Sequence, residues 1–249
     1  MTALPRGRTL IVNNRSFASG RWETRLGSEE DVRKVKALFT ALGFKVETVE
    51  DLSRIQLLNK VDGICEEDHS AYDCFVLWLM SHGKSGVLVC SDGETLPIQS
   101  IRDLLASCRT LSGKPKLIFI QACRGELEDV GVPFHANNVL SQTDVDSPIG
   151  IERQPEARGP TYADFLTAFS TVDDHVSYRG DVLGSYYVRC LVEEFRKRVS
   201  YNHLLDILTI VNNRVSNMEA PRQSTNENEY RFGKQMPEVI HSLRKQVRF

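Results

Sequence analysis

One short run concentrates reactive residue types: Gln121-Ala122-Cys123-Arg124-Gly125. A thiol becomes a strong nucleophile at neutral pH when an imidazole draws off its proton, and histidine is the side chain best tuned for that exchange. The sequence supplies one in Ser81-His82-Gly83, about 40 residues before Cys123. Both residues follow apolar, strand-like runs, 74–80 before the histidine and 116–121 before the cysteine. Open α/β sheets assemble their sites just past the carboxyl ends of neighbouring parallel strands. The pair therefore reads as a Cys–His dyad for attack on a carbonyl carbon. Gly83 is expected to be glycine so that a substrate backbone can approach.

The elements that must hold this pair alternate between strand-like runs and helical periodicity, which predicts an α/β fold with a mainly parallel sheet. A first strand covers 9–12. Ser28 is expected to cap a helix, with Asp31 three residues on and Val32, Val35, Leu38, Phe39 and Leu42 along one face; Gly43 stops it. A strand over 44–49 follows, then a helix from Ser53 carrying Ile55, Leu58, Val61 and Ile64. A further helix is expected over 100–108. The stretch 126–160 is polar and proline-rich, the mark of a functional loop or linker. Beyond it come a strand over 165–171, helices over 185–199 and 203–215, a polar loop over 219–229 and a last strand over 239–243. No glycine-rich loop follows the first strand, where Asn13-Asn14-Arg15 stands, so a nucleotide-binding α/β domain is disfavoured.

Composition excludes other classes. A formal net charge of −2 gives no electrostatic reason to expect nucleic acid or an anionic membrane as partner. No run approaches the roughly 20 apolar residues of a membrane span, and Arg6, Arg8 and Arg15 interrupt any signal-like pattern. A cytoplasmic protein with free thiols is expected, since Cys65, Cys74, Cys90, Cys108, Cys123 and Cys190 show no paired spacing. His69, His135, His175, His203 and His241 share no metal-ligand spacing and are assigned surface or loop roles, Asp173-Asp174 a solvated turn, and 244–248 a solvated basic end.

Beyond the pentapeptide, the chain resembles the caspase family from about Arg8 to its end. The residues that carry the likeness are Arg25-Leu26-Gly27-Ser28, Leu42-Gly43-Phe44, the segment 111–116, Ala163-Asp164-Phe165 and Val176-Ser177-Tyr178-Arg179. The resemblance implies a caspase-like (caspase–hemoglobinase) α/β fold, a six-stranded, mostly parallel sheet flanked by helices on both faces. It implies a thiol protease of peptidase family C14 that cuts proteins after Asp, acts in apoptosis, needs no cofactor or metal, and is made as a zymogen of the short-prodomain effector type. By resemblance, Cys123 and His82 are catalytic, a backbone carbonyl is the third member, and the N–H groups of Gly83 and Cys123 hold the oxyanion. Arg25, Gln121 and Arg179 line the pocket for the aspartate, where two guanidiniums grip one carboxylate and the extra methylene of glutamate is rejected. Ser177 and Arg179 pair with substrate backbone as an added strand. Val176 and Tyr178 wall the S2 side, where the aliphatic Val176 leaves room, and Tyr186 stands on the S4 side.

The likeness also divides the chain. Residues 1–146 form a large subunit, with linker from about 126; residues 147–249 hold the linker remainder to about 160 and a small subunit. Asp144 or Asp146 is the expected processing site. The partners implied are protein substrates with P1 Asp, a second copy in a homodimer (a heterotetramer after cleavage), and inhibitors or upstream caspases, without nucleic acid or membrane. The alternative is a catalytically weak homologue that regulates another caspase, against which the intact Cys123, His82, Arg25, Gln121 and Arg179 argue.

Overall fold

Seven consecutive apolar residues, Cys74 to Met80, leave no face suited to water, and the chain buries every one. The computed structural model describes residues 1–18, 20–131, 160–222 and 231–249. Its elements run β1 (Gly7–Asn13), α1 (Ser28–Ala41), β2 (Lys45–Glu50), α2 (Arg54–Cys65) and β3 (Cys74–Met80). Three short strands follow, β4 (Gly83–Lys84), β5 (Val87–Val89) and β6 (Thr95–Pro97), then α3 (Ile98–Ser107) and β7 (Lys116–Gln121). Next come β8 (Phe165–Phe169), β9 (Arg179–Gly180), β10 (Gly184–Ser185), α4 (Tyr186–Arg198) and α5 (Leu204–Ser216). The chain closes with β11 (Ala220–Arg222), β12 (Arg231–Gly233) and β13 (Glu238–His241).

Six strands form the main sheet in the order β13-β8-β7-β3-β1-β2. All neighbours are parallel except β13, which runs antiparallel to β8 at the edge. Alternation along β3 sends Cys74, Val76, Trp78 and Met80 to one face and Phe75, Leu77 and Leu79 to the other. The first face packs on α1, α4 and α5, the second on α2 and α3. Trp78 stacks on Phe119 at 4.6 Å, and Phe39 of α1 meets the Trp78 ring edge-on at 6.2 Å. The expected six-stranded, mostly parallel sheet with helices on both faces is what the chain forms.

Several local expectations are corrected. Gly27, not Ser28, caps α1: it sits at φ 79°, and Ser28 is the buried first helical residue, whose hydroxyl accepts from Asn13. Asp31 closes no capping box, because it is buried and turned toward Ser185. Ser53 does cap α2 with a full capping box, but the buried face is Leu57, Val61 and Ile64, and Ile55 points to solvent. His69 lies in a loop but not at the surface: it is fully buried, its Nε2 2.8 Å from the Ile64 carbonyl and its Nδ1 without a partner among the described residues. Arg244, in the basic end, is held by Asp164 through two hydrogen bonds of 3.1 and 2.5 Å. The three-stranded sheet β4-β5-β6 was not foreseen, its strands being too short to show alternation.

Candidate active site

β3 and β7 are in register to their ends, with Met80 opposite Gln121, so His82 and Cys123 leave the sheet side by side. Both line one cavity of about 250 Å³, with Ser81, Gln121, Ala122, Ser177, Tyr178 and Arg179. His82 Nε2 lies 2.8 Å from the backbone oxygen of Glu23. A carbonyl only accepts, so Nε2 carries the hydrogen and the lone pair of Nδ1 is left for proton exchange. Burial holds the imidazole below its ordinary pKa, against the pull of the Glu23 carbonyl and aided by the charges of Arg25 and Arg179. A ring kept neutral at physiological pH can accept a proton. Two aromatic rings flank it, Trp22 stacked at 5.2 Å and 28°, Phe17 tilted at 5.0 Å.

Cys123 is engaged by the segment opposite. The Ser177 N–H donates to its Sγ over 3.3 Å, and the Ser177 carbonyl lies 3.8 Å from that sulfur. The reason for Gly83 differs from the one expected. A Cβ there would stand 2.8 Å from the Cys123 carbonyl oxygen and 2.9 Å from that of Val87, so the chain's own backbone excludes a side chain. Gly125 is tighter still, its missing Cβ 2.1 Å from the Asp174 carbonyl oxygen.

Beside this pair sits a concentration of positive charge. Arg25 is 1% exposed, yet only Nη1 is paired, to Asn13 Oδ1 at 3.0 Å and the Asn14 carbonyl at 2.9 Å. Among the described residues its Nε and Nη2 have no partner. Burial, then repulsion from Arg179, brings its pKa down to about 9. Arg179 is half-buried, also shifted down by burial, and anchored by Nε to the Leu26 carbonyl at 2.9 Å. Gly27 lets the two arginine-bearing segments meet, because a Cβ there would lie 2.6 Å from the Gly180 carbonyl oxygen. Gln121 donates to Ser177 Oγ at 2.9 Å and leaves its own oxygen unpaired. Unpaired buried donors are costly, and here they cluster.

Three supports had no signal in the sequence reading. Gln235, buried, donates to the Ser170 carbonyl (2.6 Å) and Ser177 Oγ (3.2 Å) while accepting from the Tyr178 N–H (2.8 Å). Arg124 turns away from the cavity: it pairs with Glu238 of β13 and with Asp173 at 3.2 Å and lies 4.1 Å over the Phe169 ring. Asp173 is thereby an ion-pair partner, and also an acceptor from Ser85, not a merely solvated turn. Asp31 of α1 accepts from the Ser185 N–H at 2.8 Å, fixing the foot of α4; burial pushes its carboxyl upward. Only a tertiary structure brings such distant partners together.

Val176 is half-buried and bonded through its N–H to Leu127, while the Tyr178 and Tyr186 rings lie 6.4 Å apart, so the three stand in one segment beside the arginines. Asp144 and Asp146 lie outside the described residues. Among the described residues no group of His, Cys, Asp and Glu is placed to hold a metal ion, and no helix is long and apolar enough to cross a membrane.

Residues 6–248 match the caspase domain model of peptidase family C14. The chain is 34% identical to mouse (Mus musculus) caspase-8 over 98% of its own length and 51% of that protein's. It is 35% identical to Xenopus laevis caspase-3 over 84% of its own length and 71% of that protein's. The chain thus spans about half the length of the caspase-8 relatives it matches. The crystal structure of caspase-1 from Spodoptera frugiperda superposes with a TM-score of 0.85 at 28% identity, covering 99% of this chain and 90% of that one. From its sheet order to its Cys–His pair, the chain belongs to the caspase family.

Proposed function

We propose that the chain is a cysteine endopeptidase that cleaves proteins after aspartate, with a role in apoptosis and a place in the cytoplasm. The observation that carries the specificity is Arg25: a buried guanidinium with two nitrogens unpaired among the described residues, within electrostatic reach of Arg179 and Cys123. Such an arrangement is unfavourable alone and relieved by one carboxylate, which accepts from both guanidiniums and restores each to its charged comfort. In this reading Arg25, Arg179 and Gln121 grip the P1 carboxylate, and the neutral Gln121 turns its amide to donate.

The chemistry follows from the dyad. Nδ1 of His82 takes the thiol proton and Cys123 attacks the scissile carbonyl, whose oxygen turns to the N–H groups of Gly83 and Cys123. The imidazolium then protonates the leaving amine, and water hydrolyses the thioester. An incoming substrate strand must take over the Ser177 backbone that the nucleophile engages in the uncut chain. Val176 and Tyr178 then flank P2, and Tyr186 faces P4.

That contact supports a zymogen reading. The large subunit ends at Asp144 or Asp146, and a cut there frees both loop ends, letting the Ser177 segment move off Cys123 and the pocket order. Two copies pair through the edge strand β13, whose outward backbone groups have no partner strand among the described residues.

Four outcomes are expected. Cys123→Ala lowers kcat on a P1-Asp tetrapeptide by at least about four orders of magnitude, and wild type hydrolyses P1-Glu and P1-Asn peptides far more slowly; equal rates on all three would sink the pocket assignment. Arg25→Met separates function from stability: it abolishes P1-Asp cleavage yet raises the thermal unfolding midpoint, because about 1–3 kcal/mol of buried-charge penalty is removed; a lowered midpoint with intact cleavage contradicts the reading. In mass spectrometry of the active enzyme, wild type is two chains, whereas the Asp144→Ala, Asp146→Ala double variant stays one chain with little activity; a single chain of full activity excludes linker cleavage as the switch. Sedimentation of the cleaved enzyme at micromolar concentration gives a dimer, and a fully active monomer refutes pairing through β13.

A further inference from the structure

The dyad histidine is held by one hydrogen bond, and one bond does not fix a ring. Rotation about the Nε2···O axis would swing Nδ1 away from the thiol at no loss of that bond. Something must set the plane. Phe17 and Trp22, both from the segment between β1 and α1, stand against the imidazole at 5.0 and 5.2 Å, with the Trp22 indole only 28° from parallel. Trp22 directly precedes Glu23, whose carbonyl holds Nε2. One dipeptide therefore supplies the acceptor and the stacking plane together. The outer neighbour of the indole is Arg21, 5.9 Å from its centroid. Both aromatic rings are half-buried, so neither belongs to the core that packs the sheet.

We propose that Trp22 is a positioning residue of the hydrolytic dyad: with Phe17 it clamps His82 in the one plane that keeps Nε2 on the Glu23 carbonyl and Nδ1 turned to Cys123. This rests on the hydrolytic reading above and deepens it. Misplacing a proton-transfer group by about 1 Å is enough to lose on the order of 100-fold in rate, whereas a wall that only touches substrate affects binding. The clamp also keeps water off the ring. The groups facing His82 are Arg25 and Arg179, which oppose its protonation, the Glu23 carbonyl and side chain, which favour it, and Cys123 across the cavity. Burial outweighs them, so opening the Trp22 side moves the imidazole back up toward its ordinary value. The stacked indole itself favours the imidazolium, as a π face does, and softens that rise without reversing it.

Two measurements test this, one of them independent of turnover. In the first, kcat and KM are measured on a P1-Asp peptide across pH for Trp22→Ala and Trp22→Phe. Trp22→Ala lowers kcat roughly 10- to 100-fold with KM within about twofold. It also shifts the acid limb of kcat/KM to higher pH, and Trp22→Phe recovers most of the rate. Unchanged kcat, or a raised KM with kcat intact, overturns the proposal and makes Trp22 part of the substrate wall. The second uses fluorescence. Trp78 is fully buried against Phe119, so emission that titrates in the imidazole range reports Trp22. A protonated imidazole quenches an indole stacked on it far more than a neutral one. Wild-type emission minus that of Trp22→Phe is expected to dim as pH falls through the pKa of His82, and the dimming to vanish in His82→Asn. Emission that ignores pH, or titrates equally in His82→Asn, shows that the rings are not in contact and overturns the clamp. A protein inactive on every P1-Asp peptide would defeat the hydrolytic reading, while the fluorescence result would still decide the contact.

Discussion

Two guanidiniums, those of Arg25 and Arg179, act on each other at one end of this molecule, and much of the surrounding structure holds them there. Arg25 is buried deeply enough to lower even an arginine's affinity for its proton, and Arg179 adds repulsion. Left free, either side chain would rotate into water. The segments that carry them are locked instead: Leu26 and Gly180 are brought within contact by the absent side chain of Gly27, and Arg179 is tied by its Nε to the Leu26 carbonyl. Asp31, close enough to offset part of the charge, spends its hydrogen bonds on Ser185 and makes none to either arginine. The net positive field is thus left in place, and its energetic burden falls on the packed sheet below.

The same field acts on the dyad. Positive charge beside His82 opposes its protonation, and burial does so more strongly. The result is an imidazole that stays neutral at physiological pH. Meanwhile Arg124, one position past the nucleophile, carries its charge away from the cavity to Glu238 and Asp173. Three arginines within a small volume have different tasks because their backbones aim them differently, not because their chemistry differs.

The sheet was largely legible because its strands announce themselves: 74–80 is apolar throughout, 117–120 is an apolar run between Lys116 and Gln121, and both faces are indeed covered. The reactive pair and the arginines were legible because each lies in a contiguous motif. What escaped notice had no residue identity or no local pattern. The acceptor for His82 is a carbonyl, which every residue possesses. Gln235 meets Tyr178 across 57 positions of chain, and Asp31 meets Ser185 across 154, so neither contact leaves a period to read. His69 lies in a loop as expected but is buried, against the Ile64 carbonyl and beside the Tyr72 and Phe75 rings, contacts that leave no signal at the histidine itself. Gly83 was recognised as necessary for the wrong neighbour; steric limits are visible in sequence only as the choice of glycine, never as the atom that imposes it.

β7 and β8 are adjacent, parallel and hydrogen-bonded along five residue pairs, yet the stretch joining them is the longest in the chain. A break between Gly131 and Pro160 leaves β1 to β7 on one fragment and β8 to β13 on the other, with strands of both in a common sheet. It does change the order of the folding reaction. An intact monomer unfolds as one species, so its midpoint is indifferent to dilution. A nicked one separates into two fragments on unfolding, and its apparent stability acquires a logarithmic dependence on concentration. Neither fragment alone has a complete layered core, since β3 would lose α4 and α5 from one face. Maturation by a cut would then be irreversible in a thermodynamic sense beyond the peptide bond itself: once dispersed, the halves must find each other again.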